Sequence, residues 1–318
     1  MYYTCDSTML NTELAKLLNI EFPILQGGMA HISTGKMAGS ISEAGGLGII
    51  SSASRNEDYL KQQIDDARRI TKKAFGVNVM LANPRTPELM ELIIREKIPI
   101  VATGAGTPEP YMDRLLAAGC KVIPVVPHVR AAKKMEAIGA FAVVAEGRES
   151  GGHVGPTSTM VLLPQVVDAV KIPVIAAGGI ADGRGYCAAI ILGAIGVQLG
   201  TAFLLAKECP ISDLYKKKII EADDRSTIVT GIGTRDEVRC IINPLTDKYF
   251  DLIKQPGTEN EQMDLLVGSL YKAVQGDMEK GSIQVGQIAG MLKVEKTARQ
   301  IMEDLMMDAY RVYEKFTM

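Results

Sequence analysis

Between residues 22 and 200 the chain repeats one unit: a short apolar, often β-branched run, a glycine-rich or polar turn, and a helix with apolar residues three and four apart. Strands alternating with helices in this way call for parallel pairing through helical crossovers. The candidate strands are PILQ (23–26), LGIIS (47–51), FGVNVM (75–80) and IPIVATG (98–104), followed by KVIPVV (121–126), FAVVAE (141–146), IPVIAAGG (172–179) and IGVQLG (195–200). Eight strands in about 180 residues match the spacing of a TIM (β/α)8 barrel. A doubly wound open sheet is the competitor, but it usually stops at about five to seven strands.

The segments between these runs read as helices. In TPELMELIIREK, Thr86 is placed to cap the amino end ahead of Pro87. VRAAKKMEAIG supplies the helix after the fifth strand. Beyond Gly200 the pattern changes, and residues 207–318 show no further regular strand–helix units. They include a polar stretch QPGTENEQ (255–262), a helix over DLLVGSLYKAV and a long terminal helix from about Val294. The expected organisation is an N-terminal extension (1–8), a barrel (9–206), and a mostly helical C-terminal extension (207–318) that roofs the barrel and has little core of its own.

Composition narrows the partners. The 318 residues carry 35 Lys+Arg against 37 Asp+Glu, a formal charge of −2, without the dominant cationic face that nucleic acid requires. Five scattered cysteines (Cys5, Cys120, Cys187, Cys209, Cys240) form no CxxC pair, which fits a reducing interior. MYYTCDSTML has no basic region leading into an apolar core, so no export signal is expected and the cytoplasm is the expected compartment. The uncharged stretch 187–206 is long enough to span a membrane. Its glycines and Gln198 divide it into helix, turn, strand and turn, so it reads as buried core.

In a barrel, ligands bind where the loops leave the carboxyl ends of the strands. Gly27, Gly28 and Met29 follow the first strand, either as a tight turn or as backbone lying against a flat ligand. The seventh and eighth strands run into AAGGIADG and QLGTAF. Each puts glycine and small polar residues just before a helix, where free amides attract an anion. These two loops are the usual phosphate site of the fold, and two of them at adjacent strands point to a phosphate-bearing ligand; structural glycine at crowded strand ends is the alternative. Asn78 sits in an apolar strand, where its carboxamide must find partners for structural or functional reasons alike. Glu146, at the carboxyl end of the sixth strand, is costly there unless paired. His153 lies among four glycines (147, 151, 152 and 155), expected to form a flexible loop on the reactive face, and imidazole is the side chain suited to proton transfer near neutrality. His31 is expected near the ligand without acting on it, and His128 reads equally well as a helix start.

No HExxH, metal-spaced Cys/His set, GxSxG or GxxxxGK[ST] occurs. Cys240 reads as a buried bystander thiol. A flat cofactor carrying its own redox chemistry would explain the scarcity of acid–base residues.

QGGMA (26–30), AGGLGII (44–50), FGVNVML (75–81), AEGxExGGHxG (145–155), AAGGIADG (176–183) and QxGTxF (198–203) together resemble the FMN-dependent nitronate monooxygenase/enoyl reductase superfamily. PVVP (124–127) and GDMEKGSIQVGQIAG (276–290) most resemble its flavin-containing enoyl-acyl-carrier-protein reductases (type II) of bacterial fatty-acid synthesis. The resemblance spans about residues 10–292.

The resemblance implies that Gly27, Gly28 and Met29 pack along the isoalloxazine and Asn78 hydrogen-bonds flavin or its ribityl chain. Gly178, Gly179, Gly200 and Thr201 would hold the FMN phosphate, and Glu146 would belong to the polar wall beside the ring. NADH or NADPH would reduce FMN before an enoyl-acyl carrier protein takes its place. His153 would supply the proton at Cα or hydrogen-bond the thioester carbonyl. The family tends to need a monovalent cation. Nitronate oxidation, with His153 as base, is the sister reading, and a flavin-binding sensor barrel the non-enzymatic one. Arg130, Lys133 and Lys134 form a basic cluster that suits either an acidic carrier protein or solvent. A homodimer is the expected assembly.

Overall fold

The computed structural model describes residues 13–52, 55–234 and 236–317. The expected N-terminal extension (1–8) and Cys5 lie outside the described residues.

The chain forms a TIM barrel. Its strands are β1 (Ile24–Gln26), β2 (Ile49–Ser51), β3 (Gly76–Met80), β4 (Ile100–Gly104), β5 (Lys121–Val126) and β6 (Val143–Glu146). A two-residue strand outside the barrel, β7 (Gly152–His153), precedes the last two staves, β8 (Val174–Ala177) and β9 (Val197–Leu199). The eight-stranded sheet runs β1-β9-β8-β6-β5-β4-β3-β2, and every pair in it is parallel. It closes through a parallel bridge between Leu25 and Leu47. Gln26 stitches that seam from the side, its Oε1 accepting from the Ile49 amide at 3.1 Å.

Continuous apolar runs, rather than alternating ones, are what a sheet covered on both faces requires. Leu25, Leu47, Ile49, Ile100, Ile123, Val144 and Ile175 fill the barrel interior together with Leu14 and Leu18. The last two come from the helix Glu13–Leu18, which closes the amino end. A Cβ on Gly196, just before β9, would stand 2.3 Å from Leu14 Cδ2. Each such buried aliphatic side chain contributes about 1.5–3 kcal/mol.

Several local expectations need correction. Thr86 does not cap its helix (Thr86–Arg95), because Arg85 occupies the cap position. The Thr86 hydroxyl donates instead to the Asn83 carbonyl at 2.6 Å. DLLVGSLYKAV is two helices, Glu259–Leu266 and Ser269–Val274, separated at Gly268, whose φ of +70° no helix accepts. The terminal helix is Ala298–Thr317, starting later than expected. The stretch 187–206 is the end of the helix Gly183–Ile191, then β9, then a short helix Thr201–Leu204. Among the described residues no helix is long and apolar enough to cross a membrane.

The C-terminal segment also holds a hairpin that the sequence reading missed. β10 (Thr227–Thr230) and β11 (Val238–Ile241) pair antiparallel, and β11 then pairs with β7. One apolar cluster runs from Ile24, Val126 and Phe203 in the barrel to Ile241, Ile283, Val285, Met302 and Leu305 in this segment. The two parts therefore share a core.

Candidate active site

At the carboxyl end of β1, Ser33 and Gln26 fix the turn 27–29. Ser33 Oγ accepts from the Met29 amide at 2.9 Å and from Gln26 Nε2 at 2.6 Å, and lies 3.2 Å from the Gly27 carbonyl. Gly28 lies against Asn78: a Cβ there would stand 2.4 Å from Asn78 Cβ and 2.7 Å from its Cγ. Glycine at 28 is thus dictated by its neighbour as well as by any ligand. The buried Gln198 side chain lies alongside Gly27, and Met29 Sδ is 3.8 Å from the Cβ position of Gly200. The first, third and eighth staves therefore deliver Gly27, Gly28, Met29, Asn78 and Gly200 to one place.

β8 and β9 pair with Ala177 opposite Gln198, which carries Gly178–Gly179 and Gly200–Thr201 to adjacent strand ends. Gly178 and Gly179 have φ of +89° and +76°, a backbone shape that side chains disfavour. A Cβ on Gly178 would also sit 2.8 Å from the Gly147 carbonyl oxygen. The expected anion site is nonetheless narrower than the sequence suggested. The amino end of the helix Gly183–Ile191 is already filled by two carboxylates. Asp182 accepts from the Arg184 and Gly185 amides, and Asp308 of the terminal helix accepts from the Gly183 amide at 2.9 Å. The Gly178–Gly179 turn and the start of the helix Thr201–Leu204 remain as the places for an anion. Thr201 Oγ1 accepts from the Gly286 amide at 2.8 Å, which leaves the hydroxyl proton free to donate.

The glycines around His153 are not a flexible loop. A Cβ on Gly147 would meet Thr159 Oγ1 at 2.0 Å, on Gly151 the Val285 backbone at 2.5 Å, and on Gly155 the Pro127 Cβ at 2.8 Å. They are glycine so that three segments can pack closely. Thr159 ties two of these segments together, its amide donating to the Glu149 carboxylate at 2.9 Å and its hydroxyl to the Gly178 carbonyl at 2.9 Å. His153 stands in β7 opposite Val238, and the Glu237 carbonyl accepts from the Val154 amide at 3.0 Å. The imidazole is 60% exposed, with Nε2 3.6 Å from Asp236 Oδ1.

Glu146 ends β6, half-buried, and burial pushes its carboxyl up to about 7. Near neutrality it is divided between a neutral acid that can donate and an anion, a poise typical of functional carboxyls. His128 is the cap of the helix Val129–Ala137, its Nδ1 accepting from the Ala131 amide at 3.0 Å. Cys240 is buried in β11 and its thiol is pushed up to about 11 by burial, which suits an inert thiol.

The residues present suit FMN. A positive-φ double-glycine turn that a Cβ would block stands beside an oriented threonine hydroxyl. Gly28, stripped of a side chain, lies against the Asn78 side chain, which reaches it from two staves away. Sequence reading missed Gln26, Gln198, Thr159 and Asp308. The argument that singled out Asn78, a carboxamide in an apolar strand, applies equally to Gln26 and Gln198.

Comparison with known proteins agrees. The sequence model of the nitronate monooxygenase family matches residues 11–91 and 87–308. The solved structure of FabK from Thermotoga maritima is 44% identical and superposes with a TM-score of 0.93, covering 96% of this chain and 98% of that one. A Mycobacterium tuberculosis protein named (3aS,4S,5R,7aS)-5-hydroxy-7a-methyl-1-oxo-octahydro-1H-indene-4-carboxyl-CoA dehydrogenase is 33% identical, over 94% of this chain and 96% of its own. A probable nitronate monooxygenase of Staphylococcus aureus (strain Newman) is 36% identical over 86% of this chain and 90% of its own. With a barrel and a family match running nearly end to end, the chain belongs to the nitronate monooxygenase/enoyl reductase superfamily of FMN-dependent oxidoreductases.

Proposed function

We propose that this protein is an FMN-dependent NAD(P)H enoyl-acyl-carrier-protein reductase of bacterial fatty-acid synthesis, acting on the trans-2 double bond of enoyl thioesters. The observation that carries the reading is the 44% identity to the enoyl-acyl-carrier-protein reductase FabK over nearly the full length of both chains, against 33% and 36% for the other relatives above. Bound FMN would supply the hydride relay between nicotinamide and the substrate's Cβ.

The chain's own residues would do the rest. The Gly178–Gly179 turn, Gly200 and the Thr201 hydroxyl would hold the terminal phosphate. Asn78 and the backbone of Gly27–Met29 would fix the flat ring and ribityl chain, with protonated Glu146 donating to a neighbouring oxygen. His153 would deliver a proton to Cα, or donate to the thioester carbonyl as negative charge develops there. β11 orients it by holding the backbone of β7. Asp236 adds little, because an exposed pair is weak.

Purified protein mixed with crotonyl thioester should consume NADH or NADPH only when the thioester is present. His153→Ala should lower kcat about 100-fold or more, the usual size of a lost general acid. Full turnover in that variant would remove His153 from the mechanism. The family's name favours a second reading, nitronate oxidation with His153 as base. Oxygen uptake with an alkyl nitronate, independent of any nucleotide, would establish it in place of the first.

A further inference from the structure

The carboxyl ends of β1 and β2 carry a second cluster, which none of the flavin-site residues above explains. His31, two residues past Met29, has φ +62°, a left-handed backbone that a side-chain-bearing residue seldom adopts. Its Nδ1 is buried and finds no hydrogen-bond partner among the described residues. The imidazole meets Tyr271 edge to face with centroids 5.6 Å apart. Tyr271 comes from the helix Ser269–Val274 of the C-terminal segment, so the cluster spans barrel and roof.

Arg55 leaves the end of β2 and is exposed. Its guanidinium lies 5.4 Å from the centroid of the Tyr59 ring and 6.0 Å from that of Tyr271. Among the described residues it pairs with no carboxylate. Other surface arginines here, such as Arg68, Arg95, Arg114 and Arg299, are each bound to a glutamate. Burial and the nearby Arg55 charge hold His31 below its ordinary range, so it presents a neutral imidazole rather than a second cation.

A guanidinium held between two rings keeps its donor fork free and has already given up rotamer freedom, which favours planar oxyanion recognition. A neutral imidazole with an unsatisfied nitrogen and two phenol rims add polar contacts around it. The cluster sits at the barrel mouth, where the distal part of any long substrate must leave the pocket. We propose that His31, Arg55, Tyr59 and Tyr271 recognise a phosphate ester on the arm of a substrate that protrudes from the barrel. This rests on the reductase reading, under which two such arms visit the site: the pantetheine phosphate of the thioester and the 2′-phosphate of NADPH.

The test compares wild type with Arg55→Gln and Arg55→Lys in the flavin-loaded protein. Substrates are paired with and without the phosphate: crotonyl-phosphopantetheine against crotonyl-pantetheine, and NADPH against NADH. In Arg55→Gln, KM should rise about tenfold or more for one phosphate-bearing member only, with kcat within about twofold, as for a lost charge-assisted hydrogen bond. Arg55→Lys should recover part of the loss. The pair that loses discrimination identifies the arm.

Calorimetric titration with 2′,5′-ADP and with 4′-phosphopantetheine gives an answer independent of turnover. One of them should bind wild type about tenfold tighter than Arg55→Gln. Equal binding of both probes, with every KM unchanged, would overturn the inference while leaving the reductase reading standing. Wild-type protein that reduces no enoyl thioester would instead remove the reductase reading, and the titrations would still decide whether Arg55 binds phosphate.

Discussion

Glu146 offers a quantitative test of the site, because its carboxyl ionises under protest. Burial raises it from 4.5 to about 7, so the folded protein keeps a proton that the unfolded chain releases. The sign follows from linkage: the contribution is complete below the unfolded value near 4.5 and is lost as pH rises through about 7. Two and a half pH units at 1.36 kcal/mol each set the full cost near 3 kcal/mol above neutrality, falling to about 1 kcal/mol at pH 5. Glu146→Gln keeps the shape and removes the charge. It should leave stability nearly unchanged at pH 4 and raise it by about 3 kcal/mol at pH 8. Urea unfolding of flavin-free wild type and variant across that range reads the difference directly. A constant difference from pH 4 to pH 8, or a variant less stable at pH 8, would refute the claim that burial governs this carboxyl.

Two further substitutions probe the framework. Gly28→Ala would drive a methyl to 2.4 Å from Asn78 Cβ, an atom tied to the β3 backbone that cannot swing aside. It should cost about 1–3 kcal/mol and lower the flavin absorbance retained per chain; an unchanged melting temperature with full flavin would contradict it. Glu295→Ala would strip the carboxylate 2.9 Å from Lys216 Nζ, a side chain only 7% exposed, leaving it the Ala206 carbonyl at 3.1 Å. The loss should be about 1–3 kcal/mol in denaturant unfolding, and larger than that of Lys216→Met, which leaves no buried charge behind.

The barrel was legible because a parallel sheet covered on both faces writes each stave as an unbroken apolar run, and IPIVATG or FAVVAE can be little else. Loop positions were legible for the same reason: once the staves are counted, Gly178 and Thr201 fall at the mouth automatically. What escaped depends on partners distant in the chain. TIVT and VRCI are too short to announce a hairpin, and their pairing with Gly152–His153 bridges most of a hundred residues. Asp308 capping Gly183 is invisible for the same reason, which is why two helix ends looked open when one was filled. The glycines beside His153 were misread through composition. Glycine signals either freedom or close approach, and only the positions of Thr159, Val285 and Pro127 decide between them.

The Gly286–Thr201 hydrogen bond and the β7–β11 pairing have a bearing on biosynthesis. All eight staves leave the ribosome before the hairpin and the segment around Gly286 that brace the mouth exist. A nascent chain paused near residue 206 would hold His153 on an unsupported segment and show a bare oily flank where Met302 and Leu305 later dock. Flavin capture should therefore lag behind barrel closure, making the last third of translation the step that turns a scaffold into an enzyme.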